Sequence, residues 1–506
     1  MLIKLLKFLR VPESSLDRTE LRIYEMIPGL LIWVTFILAI VLSIFRSLWV
    51  IYFVIVLDVY WVIRIWYLFF YLMVSWFRYI RSTRVDWQKK VREFSNWQEY
   101  IHLITLPTYK EPYEVVRDTF DKLLESDYPK DKMVIVLGGE EMDQENFLEI
   151  ANRIKLEYGN KFQDLLITVH PKDLPDEIPG KGSNMHWIGV KAAEYFKEKG
   201  VDYSQVIISM FDIETWPDPH YFNALTYYYL SNDRPEHFSY QPLVLFNNNI
   251  WKSNILVRVV ANSTTFWLLT DMSRSERLFT FSSHSMSFNT LVNVGFHPKD
   301  IVTEDTRIFL HCLDHFDGDY RAQPIFVPVS MQTVDIGNLW DSFKNQYTQI
   351  RRWGWGVEHF PWMMLNLVKN KKVSWKRKIQ YLWNQAEGVY TWATLPILIL
   401  LLGYFPVWIA DITIHYNVLI HNTPQILERI MNFGLAGIMF ISLLNIGFLP
   451  PKPKDVHWIK YPLMILQWVL FPITMILFGS IPSIEAQTRL MLGGKYRLGF
   501  QVTKKK

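Results

Sequence analysis

The 506-residue sequence has almost no cysteine: Cys312 stands alone, so no internal disulfide framework holds the fold. It also lacks a strong charge of one sign. A formal net charge of +4 is too small to imply nucleic acid as a partner, which calls for a concentrated basic surface. No internal repeat and no low-complexity tract is visible, which sets aside solenoids and long disordered linkers. A small-residue cleavage site is missing after the first apolar run, so that run reads as a retained anchor and not as a removable signal peptide. What the chain has in plenty is apolar and aromatic: half of it is hydrophobic, 16% is aromatic, and there are 21 Trp. That is heavy for a soluble domain and natural where indoles line a membrane interface.

Residues 1–26 carry Lys4, Lys7, Arg10, Arg18 and Arg22, a basic amphipathic lead-in expected to stay cytosolic. Residues 27–77 hold two apolar runs separated near Arg46, each long enough to cross a bilayer. Arg78, Arg81, Arg84, Lys89, Lys90 and Arg92 follow and return the chain to the starting side. Asp58 and Arg64 lie inside the second run, either lining a polar translocation path or pairing locally with the arginine snorkelling. Three more apolar runs, 389–410, 430–449 and 461–481, fall in a second membrane region, 386–483. The 411–428 loop has no Lys or Arg and belongs outside, whereas Lys452, Lys454 and Lys460 keep the next loop inside. A third full crossing would put the basic tail, 484–506, outside. We therefore expect a cytosolic tail, with 461–481 re-entrant or interfacial and broken at Pro472.

Between 78 and 337 the texture changes to short apolar strands, turn signals and charged helices, an α/β pattern. A strand ending in a loop is expected over 101–112, strands at 133–137 and 206–211, a helix at 113–125, and another helix from Trp216 onward with Pro219 in an early position. Asp212 and Glu214 follow the third strand. Side chains at i and i+2 share one face of an extended segment, so both carboxylates should reach one hard divalent cation bridging to a diphosphate. Pro179-Gly180-Lys181-Gly182-Ser183-Asn184 offers close backbone approach and a lysine charge for that diphosphate. Thr303-Glu304-Asp305 is expected after a strand-like 296–302 stretch and before a helix at 306–315. His311 and His315 have the i, i+4 spacing of a zinc helix, but no third ligand is evident. A region of interfacial helices, 338–385, begins with an amphipathic segment (339–355) that puts Gln349, Arg352 and Trp353 on one side.

The order Asp212-x-Glu214, Thr303-Glu304-Asp305 and Gln349-x-x-Arg352-Trp353 resembles that of processive family 2 glycosyltransferases, the group of cellulose, chitin and hyaluronan synthases. The resemblance implies an α/β nucleotide-sugar-binding (GT-A-like) cytosolic domain combined with an α-helical transmembrane domain in the plasma membrane. It implies an inverting transferase that elongates a β-linked polysaccharide from a nucleotide-sugar donor and couples growth to translocation. Mg²⁺ or Mn²⁺ is the implied cofactor, with Asp212 and Glu214 as its ligands. Asp305 is the implied general base, beside Glu304, and Arg352 stabilises the departing diphosphate. Pro107, Thr108, Tyr109 and Glu111 match the segment that contacts base and ribose, with Lys110 in place of the family's Asn. Glu140 or Glu141 stands where the family has an Asp for the nucleoside. Lys181, Asp212 and Gln349 complete the donor contacts. Trp353, Ser283 and His284 are the implied acceptor contacts. Phe500, Val502, Thr503 and Lys505 match the F-x-V-T-x-K gating loop, here at the end of the sequence. The rival readings are a transferase that adds single sugars to a lipid-linked or short glycan, and a transporter or channel with a cytosolic binding domain.

Overall fold

Long uncharged runs fold as helices because a helix satisfies its own backbone amides where no water can. In the computed structural model, which describes residues 13–412 and 418–499, the first two runs are α1 (Glu13–Phe45) and α2 (Ser47–Ser82), with Arg46 between them. Two compact units emerge. Among the described residues, one comprises 13–70, 346–412, 418–443 and 463–498, the other 71–345, 444–462 and 499.

The second unit is built on one mixed sheet of eight strands. These are β1 (Ile101–Pro107), β2 (Met133–Glu140), β3 (Asp164–His170), β4 (Val206–Met210), β5 (Trp216–Pro217), β6 (Phe238–Phe246), β7 (Ser285–Ser287) and β8 (Arg321–Met331). Their spatial order is β3-β2-β1-β4-β7-β6-β8-β5. The first four pair in parallel, β4 meets β7 antiparallel, and β6 and β8 are parallel again. Leu103, Ile104, Val134, Ile135, Val136, Ile207 and Ile208 are fully buried, as expected of parallel strands covered on both faces. The crossover helices are α3 (Tyr113–Leu124), α4 (Gln144–Tyr158) and α5 (Lys181–Glu198); α6 (Tyr221–Leu230), α7 (Ile255–Met272) and α8 (Glu304–His315) follow. Parallel strands in such sheets present their carboxyl ends to ligands, and here those of β1, β2 and β4 carry Pro107, Glu140 and Phe211-Asp212.

Three local expectations fail. Asp212 and Glu214 do not extend β4: the strand ends at Met210, and Thr215 N–H donates to Asp212 O (2.9 Å), closing a turn. The 296–302 stretch is a loop, entered through Gly295 and Phe296 at φ 84° and 66°. Trp216-Pro217 is a two-residue strand bonded to β8, so the next helix waits until Tyr221.

The first unit continues with α9 (Leu339–Gly354), α10 (Trp375–Ile412), α11 (Val418–Ile446) and α12 (Ile481–Leu492); α9 starts just before the boundary between the units. Five helical stretches among the described residues are long and apolar enough to cross a membrane: Arg18–Phe45, Ser47–Ser82, Trp375–Ile409, Asn422–Ile446 and Lys460–Leu492. The last stays helical but changes its hydrogen-bond pattern, through a 3₁₀ turn at Gln467–Leu470, a short α segment Phe471–Thr474 with Pro472 in its first turn, and a π segment Met475–Ser480. Its end folds back onto α1. Arg22 Nη1 donates to Leu490 O (2.8 Å), Arg22 Nη2 also reaches Met491 O, and Trp33 Nε1 donates to Thr488 Oγ1 (3.0 Å). The chain therefore leaves α12 beside Arg22 of α1. Inside the helices, Arg64 pairs with Glu387 of α10 and donates to Tyr60 Oη (2.7 Å), while Asp58 is buried.

Four histidines of the sheet unit are held neutral by burial, among them His297, which lies well below the ordinary 6.5. His102, bonded to Thr226 Oγ1 (2.8 Å), is pushed down from 6.5 to about 3, and His284 and His311 to about 4. Their folded values lie below the unfolded one, so the unfolded chain takes up protons first as pH falls. Melting temperature measured against pH should therefore decline below pH 6.5 and continue down to about 4. His102→Gln should flatten part of that slope.

Candidate active site

Four charged side chains from three separate segments meet at one point. Lys181, the first residue of α5, places Nζ 2.8 Å from Asp212 Oδ1, 3.2 Å from Glu304 Oε1 and 3.0 Å from Asp305 Oδ2. Burial works against the charge on Lys181, but Asp212, Asp305 and Glu304 together outweigh it and hold the ammonium protonated well above the ordinary lysine range. The lysine in turn offsets the repulsion that three carboxylates around one point would feel.

Glycines permit this approach. Gly180 precedes the helix at φ 152°, ψ −172°, a region essentially closed to other residues. A Cβ on Gly182 would lie 2.8 Å from Pro298 O and 3.2 Å from Glu304 Cβ, so only glycine lets the start of α5 reach the start of α8. Thr280 straps the second acidic segment, its Oγ1 donating to Asp305 O (2.6 Å), and Thr306 Oγ1 donates back to Thr280 O (2.8 Å).

The neighbouring serines divide unexpectedly. Ser282 Oγ donates to Asp212 Oδ2 (2.5 Å) and is the hydroxyl of this segment that reaches the carboxylates. Sequence reasoning missed it, although the Ser-Ser-His run was the signal. Ser283 and His284, expected to meet acceptor hydroxyls, are both fully buried. Ser283 shares a hydrogen bond with Thr215 Oγ1 (3.0 Å), and the neutral His284 uses Nδ1–H on Phe281 O (3.2 Å), 3.9 Å from Asp305 Oδ1. Neither presents an open polar atom to a sugar. Their place is beneath the site.

At the ends of β1 and β2, Thr108 N–H donates to Gly138 O (2.7 Å), and Tyr109 N–H to the Glu111 carboxylate. Lys110 adopts φ 63° and donates its N–H to Asp143 Oδ2 (2.9 Å). Thr108, Lys110, Glu111, Asp143, Asn146 and Phe147 line a small cleft there. Glu140 turns away to His170 Nδ1 (2.8 Å), and Glu141 Oε2 accepts from Lys172 N–H (2.9 Å). Asp143 thus joins Glu111 as a carboxylate lining the cleft. It lay two residues beyond the pair singled out from the sequence.

For a divalent cation, the donor set fits in kind: three hard carboxylates face a single ammonium, an excess of negative charge that suits such an ion. The described residues contain no ready group of three or more His, Cys, Asp or Glu for a metal, because Lys181 takes the central place. Glu214 is buried, with its backbone carbonyl accepting from Asn248 Nδ2 (3.3 Å). The extended Asp212/Glu214 chelate expected from spacing is replaced by a turn.

Gln349, Arg352 and Trp353 belong to the other unit, on α9. Gln349 is buried and accepts from Gln346 Nε2 (3.2 Å). On the same helix, Tyr347 Oη and Arg351 Nη1 donate to Glu485 of α12 (2.7 and 2.6 Å), which also accepts from Arg489 Nε (2.7 Å). Glu485 was not anticipated, since only the fold brings α12 against α9. Phe500, Val502, Thr503 and Lys505 lie outside the described residues.

Residues 207–450 match the model of the family described as Glycosyl transferase family group 2, a span that includes Asp212, Glu304, Asp305, Arg352 and Trp353. No curated protein matches the sequence. Among solved structures, the chain is similar to the mannosyltransferase PcManGT of Pyrobaculum calidifontis in complex with GDP-Man and Mn²⁺, at 14% identity and TM-score 0.43, over 82% of this chain and 99% of that one. It is also similar to S. aureus TarS 1–349 in complex with UDP-GlcNAc, at 11% identity and TM-score 0.31, over 70% and 93%. The family match thus falls on 207–450, just under half of the chain; the sheet unit has a GT-A-like fold, and the chain is an enzyme of the glycosyltransferase type.

Gly182→Ala should displace α5 from α8 and cost about 1–3 kcal/mol of stability through overpacking. A lower unfolding midpoint, together with weakened donor turnover, is the expected measurement. A variant as stable and active as the parent would show that the close approach is dispensable.

Proposed function

We propose that this glycosyltransferase is a membrane-embedded, inverting enzyme that elongates a β-linked polysaccharide from a nucleotide-sugar donor on the cytosolic side. The observation that carries the proposal is the convergence of Asp212, Glu304 and Asp305 on Lys181. In the mechanism, Lys181 moves its charge from Asp305 to the donor diphosphate. The exchange releases the carboxylate to act as general base. Asp305 takes the proton of the acceptor hydroxyl, the oxygen attacks the anomeric carbon, and the bond to the diphosphate breaks with its electron pair on the leaving oxygen. Attack opposite the leaving group inverts the centre, so an α-linked donor gives a β-linked product. A divalent cation, Mg²⁺ or Mn²⁺, would be held by Asp212 in the same turn as Glu214, and supplies Lewis-acid neutralisation of the diphosphate when bound.

The cleft at Thr108, Lys110, Glu111 and Asp143 supports placing the nucleoside there. The roles of Gln349 at the donor, Arg352 at the departing diphosphate and Trp353 beneath the acceptor sugar rest on their motif, and those of Phe500, Val502, Thr503 and Lys505 over the nucleotide rest on theirs. Polymer elongation and its passage through the helices rest on the same resemblance, with the five apolar stretches supporting a multi-pass plasma-membrane protein.

Screening nucleotide sugars for nucleoside diphosphate release, with and without Mg²⁺ or Mn²⁺, identifies the donor. Asp305→Asn should lower turnover about 10²- to 10⁴-fold, the usual weight of a general base, while the donor still binds. Unchanged turnover would remove Asp305 as base, and products one sugar longer than the acceptor would replace elongation by single addition. A reporter fused after Lys506 should read as cytosolic, matching the return of α12 to the basic end of α1. An external reading would place the tail on the wrong side.

A further inference from the structure

A second charged cluster lies away from the carboxylates, at the carboxyl ends of β2 and β3. Glu140 and His170 are register partners there. His170 Nδ1 is 2.8 Å from Glu140 Oε2, and Nε2 is 3.0 Å from Glu177 Oε1, an ion-pair contact without hydrogen-bond alignment. All three side chains are almost completely buried, at 3% and 6% exposure. Glu177 comes from the 171–180 loop, most of which is half-buried or exposed. That loop is costly to shape: Asp173 and Asp176 adopt φ 58° and 60°, followed by Gly180 at 152°. Its other fastenings are Ile178 N–H to Lys299 O (2.8 Å), Lys299 Nζ to Pro175 O (3.4 Å) and Lys172 N–H to Glu141. The loop ends at Lys181.

We propose that Glu140, His170 and Glu177 form a clasp that positions Lys181, the imidazolium holding the 171–180 loop against the end of the sheet. His170 is then a positioning residue, acting on the donor through the lysine; the inference rests on the proposed role of Lys181 at the diphosphate. Burial opposes the charge on His170, but contact with Glu140 and Glu177 outweighs it and raises the ring above its ordinary 6.5. The groups facing the ring are Glu140 from β2, with Asn184 of α5 beside it, Glu177 from the loop, and the indole of Trp187 from α5 at 6.1 Å. Because the folded value of His170 is raised, the clasp holds while the ring is protonated and Glu140, which burial pushes upward, is still ionised, and it is lost as pH rises through the His170 value.

The test compares the full-length parent with His170→Gln and Glu177→Gln, both first shown to be folded by circular dichroism. Amide hydrogen exchange in 171–180 needs no donor, and should rise in both variants and in the parent at alkaline pH. With donor, KM should rise about tenfold, the size of one charge-assisted hydrogen bond, with kcat nearly unchanged. The alkaline limb of the parent's KM profile should vanish in His170→Gln. Unchanged exchange in folded variants overturns the clasp. Raised exchange with an unchanged KM overturns its link to Lys181. Failure of the parent to turn over any donor counts against the transferase reading, while exchange still decides the clasp.

Discussion

The ammonium of Lys181 is the contact on which the sheet unit's chemistry depends. Three carboxylates facing one point repel, by about 4 kcal/mol for a pair 4 Å apart at an effective dielectric of 20, and a site of that kind is stable only with a cation at its centre. Lysine suits the place because its charge is compact and its stem is flexible. The same group neutralises the acids and, in the proposed mechanism, meets the donor diphosphate. This also explains why the described residues hold no ready metal cage although the carboxylates suit a hard ion.

The backbone around that contact is shaped to allow it. A turn after β4 aims Asp212, a tight approach at Gly182 brings α5 to the acids of α8, and Thr280 and Thr306 tie the acidic segment down. The 171–180 loop carries unfavourable dihedrals, and is fastened at both of its faces. Strain of this sort persists only where neighbouring contacts over-determine it.

In the other unit, three arginines are paired across helices or along them. Arg64 meets Glu387, and Arg351 and Arg489 meet Glu485. A charge at membrane depth without a partner is costly, so these pairs fix the rotation of α2 against α10 and of α9 against α12. Arg64, expected either to line a polar path or to snorkel, has its partner 323 residues away in sequence.

Much of this was readable without coordinates. Hydrophobic run length located the apolar helices, alternation of strands and turns gave the α/β domain, and the types and order of Lys181, Asp212, Glu304 and Asp305 marked the chemistry. Run length and residue type are local properties, written directly into the chain. The turn that carries Asp212 and Glu214, the burial of Ser283 and His284, and the parts of Ser282, Asp143, Glu177 and Glu485 were decided only by tertiary structure. Each depends on which segment packs over another, and whether a hydroxyl or carboxylate faces a cleft or a neighbour is set by contacts between residues far apart along the chain.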